Sequence, residues 1–189
     1  MSDTQYIWVT PQPSGEQRGT REQPFGTVAR AVKQARPGQT VLLTDGVYAG
    51  DCTIEQSGEF DHALTIRAEH PGNAVVEHGC WYLYDVSDVV VSGLVFRDAP
   101  GSALSVIGAC QRNGFRDLVF HNCSRTDRPA CTMFFGGSGA QANAVLQCRF
   151  IQDTPPPPPA DRPLEESTVA VMCAEGDTEG EVANTNFLF

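Results

Sequence analysis

The segment His121-Asn-Cys-Ser-Arg-Thr-Asp-Arg128 sets one imidazole, two guanidiniums and a carboxylate close together in the chain. Arginine forks bind carboxylates through paired N–H donors, and a neutral imidazole accepts a proton near neutral pH. Arg125 and Arg128 are therefore candidate holders of a substrate carboxylate, with His121 as the candidate base. Together they suit removal of a proton next to a carboxylate, where bound cations stabilise the charge that develops. Asp127 is a candidate substrate contact, and it reads equally as a surface ion-pair partner of its two neighbours, an interaction of small energy. Arg97, Arg116 and Arg149 complete the candidate binding set and put positive charge in the middle of an acidic chain.

Other chemistry-bearing residues form weaker patterns. His62, His70 and His78 follow no metal-ligand spacing, and Asp98, Asp117 and Asp153 are too scattered for a calcium site. The sequence thus shows no cofactor or metal site, with calcium left open although no ligand cluster supports it. Gly136-Gly-Ser-Gly139 has the composition of a phosphate loop without the following lysine or helix, so it reads as a turn. Seven cysteines, at 52, 80, 110, 123, 131, 148 and 173, include no C-x-x-C pair. They read as small buried hydrophobes, with one or two disulfides as the alternative. Trp81, Tyr82 and Tyr84 alternate, so some of them face outward, where an aromatic ring can stack on a sugar.

Composition narrows the partners. The chain has 189 residues, enough for one domain, with 13 Lys+Arg against 23 Asp+Glu and a net charge of −10. That balance argues against binding nucleic acid or an anionic membrane. Hydrophobic content of 41% with 19% charged residues excludes a disordered chain, and no apolar run approaches the ~20 residues a membrane span needs. Met1-Ser-Asp-Thr-Gln5 has no basic stretch followed by an apolar one, so no signal peptide is predicted.

The elements that must position these residues follow from periodicity. Val28, Ala31, Val32 and Ala35 fall on one helical stripe, with Thr27 as N-cap and Pro37-Gly38 as the stop. Short period-two strands follow, at Thr40–Thr44, Val47–Tyr48, 63–68, 74–77, 81–85 and 89–92. Four later segments repeat: Val89–Phe96, Asn113–Phe120, Asn143–Phe150 and Gly180–Phe187, with phenylalanines 24, 30 and 37 residues apart. A period of this size that lengthens only in its loops predicts a solenoid, because one turn cannot bury its own apolar face. Phe96, Phe120, Phe150 and Phe187 should form one interior column, and Val91, Phe115, Val145 and Val182 another. Gly93, Asp117, Gln147 and Asn184 should occupy a corner. Arg97 should lie beside His121, because each follows its phenylalanine by one residue.

Pro24-Phe-Gly-Thr-Val-Ala-Arg-Ala-Val32, Asp45-Gly-Val-Tyr48, Leu64-Thr-Ile-Arg-Ala-Glu-His-Pro-Gly72 and Val89-Val-Val-Ser-Gly-Leu-Val-Phe96 resemble the pectate-lyase-like right-handed parallel β-helix proteins. The resemblance runs from about Pro24 to the C-terminus and rests on scaffold residues. It implies an all-β, single-stranded right-handed parallel β-helix with an N-terminal amphipathic cap helix. Residues 1–26 would be an N-terminal extension, 27–37 the cap helix, and 38–189 the β-helix with a Pro-rich loop at 153–167. It further implies lyase-type cleavage of an acidic polysaccharide, in a groove beside 121–130 and 151–168. The alternative is a noncatalytic polysaccharide-binding or assembly module. The lysine base of some relatives has no counterpart, since Lys33 is the only lysine and lies on the cap helix. The paired aspartates of the hydrolase branch are also missing. Asn184-Thr-Asn-Phe-Leu-Phe189 reads as an uncapped last coil, which predicts homo-oligomers joined through that end.

Overall fold

A computed structural model describes residues 5–124, 131–137, 139–153, 169–174 and 186–188. Strand β1 (Tyr6–Val9) and helix α1 (Val28–Gln34) come first, and the remaining strands follow in threes. These are β2 (Thr40–Leu43), β3 (Gly46–Ala49) and β4 (Cys52–Ile54), then β5 (Leu64–Ala68), β6 (Ala74–Glu77) and β7 (Trp81–Tyr84). Next come β8 (Val89–Ser92), β9 (Leu94–Arg97) and β10 (Leu104–Ile107), then β11 (Gly114–Arg116), β12 (Val119–His121) and β13 (Cys131–Gly136). The series ends with β14 (Asn143–Leu146), β15 (Arg149–Ile151), β16 (Val169–Ala174) and β17 (Asn186–Leu188).

Each circuit of the chain places one strand in each of three sheets, and every strand pair is parallel. The seven-stranded sheet runs β1-β2-β5-β8-β11-β14-β17. The first five-stranded sheet is β3-β6-β9-β12-β15 and the second is β4-β7-β10-β13-β16. Strands alternate buried and half-buried residues, so each has one face inside and one outside. Tyr48, Val76, Phe96, Phe120 and Phe150 stand in register as one interior column. Phe96 stacks on Phe120 at 5.2 Å and Phe120 on Phe150 at 5.0 Å, and Trp81 meets Phe96 edge-on.

The corners repeat as well. Gly93, Asp117 and Gln147 all have left-handed backbone, with φ of 68°, 53° and 54°. His78, Asp98 and Asn122 do the same at the next corner, each donating its N–H to the carbonyl of Arg97, His121 or Ile151 one circuit on. At the third corner buried asparagines carry the turn. Asn113 Oδ1 accepts from Val89 N–H, and Asn143 Oδ1 accepts from the N–H and side-chain amide of Asn113. Helix α1 buries Val28, Ala31 and Val32, and the Thr27 hydroxyl accepts from Arg30 N–H, the N-cap read from the sequence.

Two expectations need correction. Residues 1–26 are no mere extension: Ile7 and Val9 alternate inward, and β1 pairs in register with β2 as the edge strand of the largest sheet. Phe187 does not continue the Phe150 column. Asn186–Leu188 pairs with Asn143–Val145, so Phe187 stands opposite Ala144 and Leu188 opposite Val145. The corner asparagine, rather than the phenylalanine, is the register mark of that circuit. The Val182, Asn184 and Thr185 positions lie outside the described residues.

Phe120→Ala should lower unfolding stability by ~3–5 kcal/mol, because it removes a ring stacked on both sides. Asn113→Ala should cost about 1–3 kcal/mol by stranding the buried groups it bonds. Urea unfolding followed by circular dichroism checks both, and an unchanged midpoint in either would contradict the packing described.

Candidate functional site

The outer face of the first five-stranded sheet is built by the strand ends that precede the second corner. Ala49, Glu77, Arg97, His121 and Ile151 stand in register there, one per strand. Neighbouring strands are ~4.8 Å apart, so Arg97 and His121 are adjacent, as the repeat predicts. Both point outward because Phe96 and Phe120 before them point inward. The left-handed residues His78, Asp98 and Asn122 turn the chain immediately afterwards, which holds the row at the sheet's edge.

The three polar members of this row each have a partner. Arg97 donates from Nε (2.9 Å) and Nη2 to Glu77 Oε1. His121 Nε2 bonds Asp153 Oδ2, and the Asp153 N–H donates to Asn122 Oδ1 at 3.0 Å. Gln152 Nε2 donates to the Cys123 carbonyl, which ties the Asp153 strand end to the His121 strand end. In the neutral tautomer that donates from Nε2, the lone pair sits on Nδ1, an atom that no described residue bonds.

The other candidate residues are divided by the topology. Arg149 lies on the same outer face as His121, one strand on and two positions earlier, opposite Val119. Arg116 lies on the seven-stranded sheet, opposite Ser92 and Leu146. The corner at Asp117 therefore separates it from the Arg97–His121 row, so the expectation that it joins their site is corrected. Arg125, Asp127 and Arg128 lie outside the described residues. Their segment departs at Ser124 and returns at Cys131, and the Ser124 hydroxyl donates to the carbonyls of Cys131 (2.7 Å) and Gly101 (3.2 Å).

Glu77 and the Asp153–His121 bond were missed by the sequence reading. Glu77 was available in principle, since it follows inward Val76 as Arg97 follows Phe96. Asp153 carried no such signal, because it lies past the end of its strand. Around the next corner, Thr53, Tyr82, Ser105 and Phe134 stand in register on the outer face of the third sheet. Trp81 is buried, whereas Tyr84 is exposed and stacks on Tyr82 at 6.2 Å. Among the described residues no group of three or more His, Cys, Asp or Glu is placed to hold a metal ion.

Two titrating sets lie apart from the row. His70 Nδ1 and the Asn73 amide both bond Asp45, at 2.9 Å each. The Asp45 hydrogen bond and then its charge raise the His70 pKa, while Asn73 and then His70 lower that of Asp45. The pair therefore favours the folded state fully only between the ordinary carboxylate and imidazole values, 3.8 and 6.5. Its contribution is lost as pH rises through the raised imidazole value and again as pH falls through the lowered carboxylate value. Cys52, Cys80, Cys110, Cys123, Cys131 and Cys148 are free thiols, and all of these but Cys148 are buried. Burial pushes the Cys52 thiol up to about 12 and Cys123 to about 11.

No protein-family model matches the chain. It is 31% identical over 108 residues to the uncharacterized protein YwoF of Bacillus subtilis (strain 168), covering 52% of this chain and 23% of that one. A rhamnogalacturonan lyase superimposes with a TM-score of 0.68 at 15% identity, over 97% of this chain and 50% of the other. Pectate lyase Pel9A gives a TM-score of 0.55 at 14% identity, over 78% of this chain and 48% of its own. The PL6 family alginate lyase AlyGC gives 0.55 at 15% identity, over 97% and 26%. The chain thus spans at most half the length of these proteins. The fold is the pectate-lyase-like parallel one that the sequence resembles, an all-β arrangement of parallel sheets with one helix among the described residues.

Proton NMR titration should show His70 titrating above the ordinary imidazole range, and Asp45→Asn should return it to that range. Native protein should react with a thiol reagent such as dithionitrobenzoate far more slowly than urea-unfolded protein. Fast, stoichiometric native labelling of Cys52 or Cys123 would contradict their burial.

Proposed function

We propose that this chain acts on an acidic polysaccharide and cleaves it by β-elimination, in a groove beside residues 121–130 and 151–168. The observation that carries this reading is the Asp153-oriented His121 next to Arg97, on an outer sheet face that also bears Arg149. In this reading the sheets close into one right-handed parallel β-helix, and the loops at those two places form the groove wall. Similarity in fold to several polysaccharide lyases supports the substrate class.

The chemistry assigns each residue a task. Arg149, with Arg125 and Arg128 from the adjoining segment, binds the uronate carboxylate and stabilises the charge that builds on it. His121 Nδ1 takes the proton from the carbon next to that carboxylate. The electron pair left behind forms a carbon–carbon double bond as the glycosidic C–O bond breaks, and the departing oxygen takes up a proton. Arg97, already bonded to Glu77, keeps part of its fork for a sugar oxygen and is a binding residue. Asp153 is a positioning residue that acts through His121.

A noncatalytic binding module is the second reading. Two observations favour it: Glu77 already occupies Arg97, and the stacked Tyr82–Tyr84 pair offers an aromatic surface without chemistry.

Incubation with a panel of acidic and neutral polysaccharides, with and without calcium, should release unsaturated oligosaccharides from an acidic member, read by mass spectrometry. His121→Ala should lower that turnover about 100-fold or more while binding persists. Binding without products from any member would overturn the lyase reading in favour of the second.

A further inference from the structure

The outer face of the seven-stranded sheet carries a row that the proposed groove does not use. Trp8, Leu42, Arg67, Ser92, Arg116 and Leu146 stand in register across six strands. The Arg21 guanidinium sits 5.0 Å over the Trp8 ring, adding a third cation at the row's N-terminal end. No Asp or Glu occupies this row, nor the parallel row of Tyr6, Thr40, Thr65, Val90, Gly114 and Ala144. The nearest acids stand at the margins: Glu69 lies 4.0 Å from Arg21, and Asp117 is at the corner after Arg116.

These arginines differ from others in the chain. Arg97 and Arg112 are each held by a carboxylate, Glu77 and Asp88. Among the described residues neither Arg67 nor Arg116 has a carboxylate at salt-bridge distance. Arg67 donates only to its neighbour's carbonyl, Ala68, at 3.2 Å, and Arg116 is exposed. A protein of net charge −10 whose described acids leave one sheet face clear, with two guanidiniums there lacking a described carboxylate partner, presents a local positive stripe.

We propose that this face is a second binding surface for an extended polyuronate, lying along the row and across the strands. Arg67 and Arg116 are two strands apart, about 10 Å, or about two pyranose units, because strands repeat every ~4.8 Å. Every second uronate carboxylate of one extended chain then meets a guanidinium fork, and the Ser92 hydroxyl lies under the ring between. Leu42 is buried, so the accessible part of the row runs from Arg67 to Leu146, three strand spacings or ~14 Å, and the surface distinguishes longer oligomers from single sugars. Such sparse charge matches one carboxylate per ring better than a polyphosphate. The polymer's chemical class rests on the function proposed above, but the face is remote from His121 and needs no catalysis. It would hold the polymer while the groove acts on it.

The test compares wild type, R67Q/R116Q and H121A by calorimetry and affinity electrophoresis, with defined oligogalacturonates and oligoalginates, a neutral galactan oligomer and a single-stranded oligonucleotide as probes. R67Q/R116Q should weaken binding of long acidic oligomers about tenfold or more, remove much of the salt dependence, and leave kcat on short acidic oligomers unchanged. The neutral oligomer should bind both proteins alike. Affinity of R67Q/R116Q within twofold of wild type overturns the proposal, and so does equal loss for the neutral oligomer or tighter binding of the oligonucleotide. If R67Q/R116Q lowers binding but wild type cleaves nothing, the second surface stands and the lyase reading falls. Cleavage lost only in H121A, with binding insensitive to R67Q/R116Q, gives the reverse. No binding of any acidic probe to wild type overturns both.

Discussion

Apart from β1, which pairs with β2, every described strand finds its hydrogen-bond partners in the circuits before and after its own rather than in its neighbours along the chain. That constraint governs the rest. A strand of three to six residues cannot be stable alone, so each circuit exists because the circuits above and below satisfy its backbone. Register is then enforced at the corners. His78, Asp98 and Asn122 all accept the strained left-handed conformation, because each N–H is bonded to a carbonyl one circuit away. The buried Asn113–Asn143 pair does the same at another corner, with side chains in place of backbone.

Register in turn makes columns. Inside, it stacks Phe96, Phe120 and Phe150 nearly parallel, so that one kind of ring solves the packing problem three times. Outside, it places residues distant in the chain side by side: Glu77 with Arg97, and Arg97 with His121. Function on such a scaffold is a matter of rows. A side chain's neighbours are set by its position within the circuit, and its face is set by the parity of that position. Loops between the sheets are free to lengthen because the corners on both sides hold the register.

The electrostatics follow the same geometry. Over the whole chain acids outnumber bases, yet Arg67, Arg97, Arg116 and Arg149 stand in outer rows on two sheets. Where a carboxylate shares the row, it is taken up locally, as in Glu77–Arg97 and Asp88–Arg112. Where none does, as around Arg116, the positive charge stays available over roughly one Debye length, ~8–10 Å in physiological salt. An acidic polymer would meet local attraction along these rows, while net charge discourages nonspecific adhesion elsewhere.

The sequence by itself determined the element types, the cap helix with its Thr27 hydroxyl, the inward column from Phe96 to Phe150, and the adjacency of Arg97 to His121. Those features depend on local periodicity, and a repeat anchored on a large inward ring carries the period across the loops. Other features were decided only by the tertiary structure. The short alternation of Ile7 and Val9 gains meaning as an edge strand only once β2 is there to pair with it. Phe187 shifted out of its expected column because Asn186 pairs with Asn143, a choice between two registers that local pattern does not distinguish. Arg116 went to a different face from Arg97, since a single corner residue, Asp117, redirects everything before it. Asp153 reached His121 because two strand ends meet in space although their residues lie 32 apart in sequence. Parity and period are local, so they are written in the chain; which outer row a residue joins depends on how loops and corners sum over whole circuits.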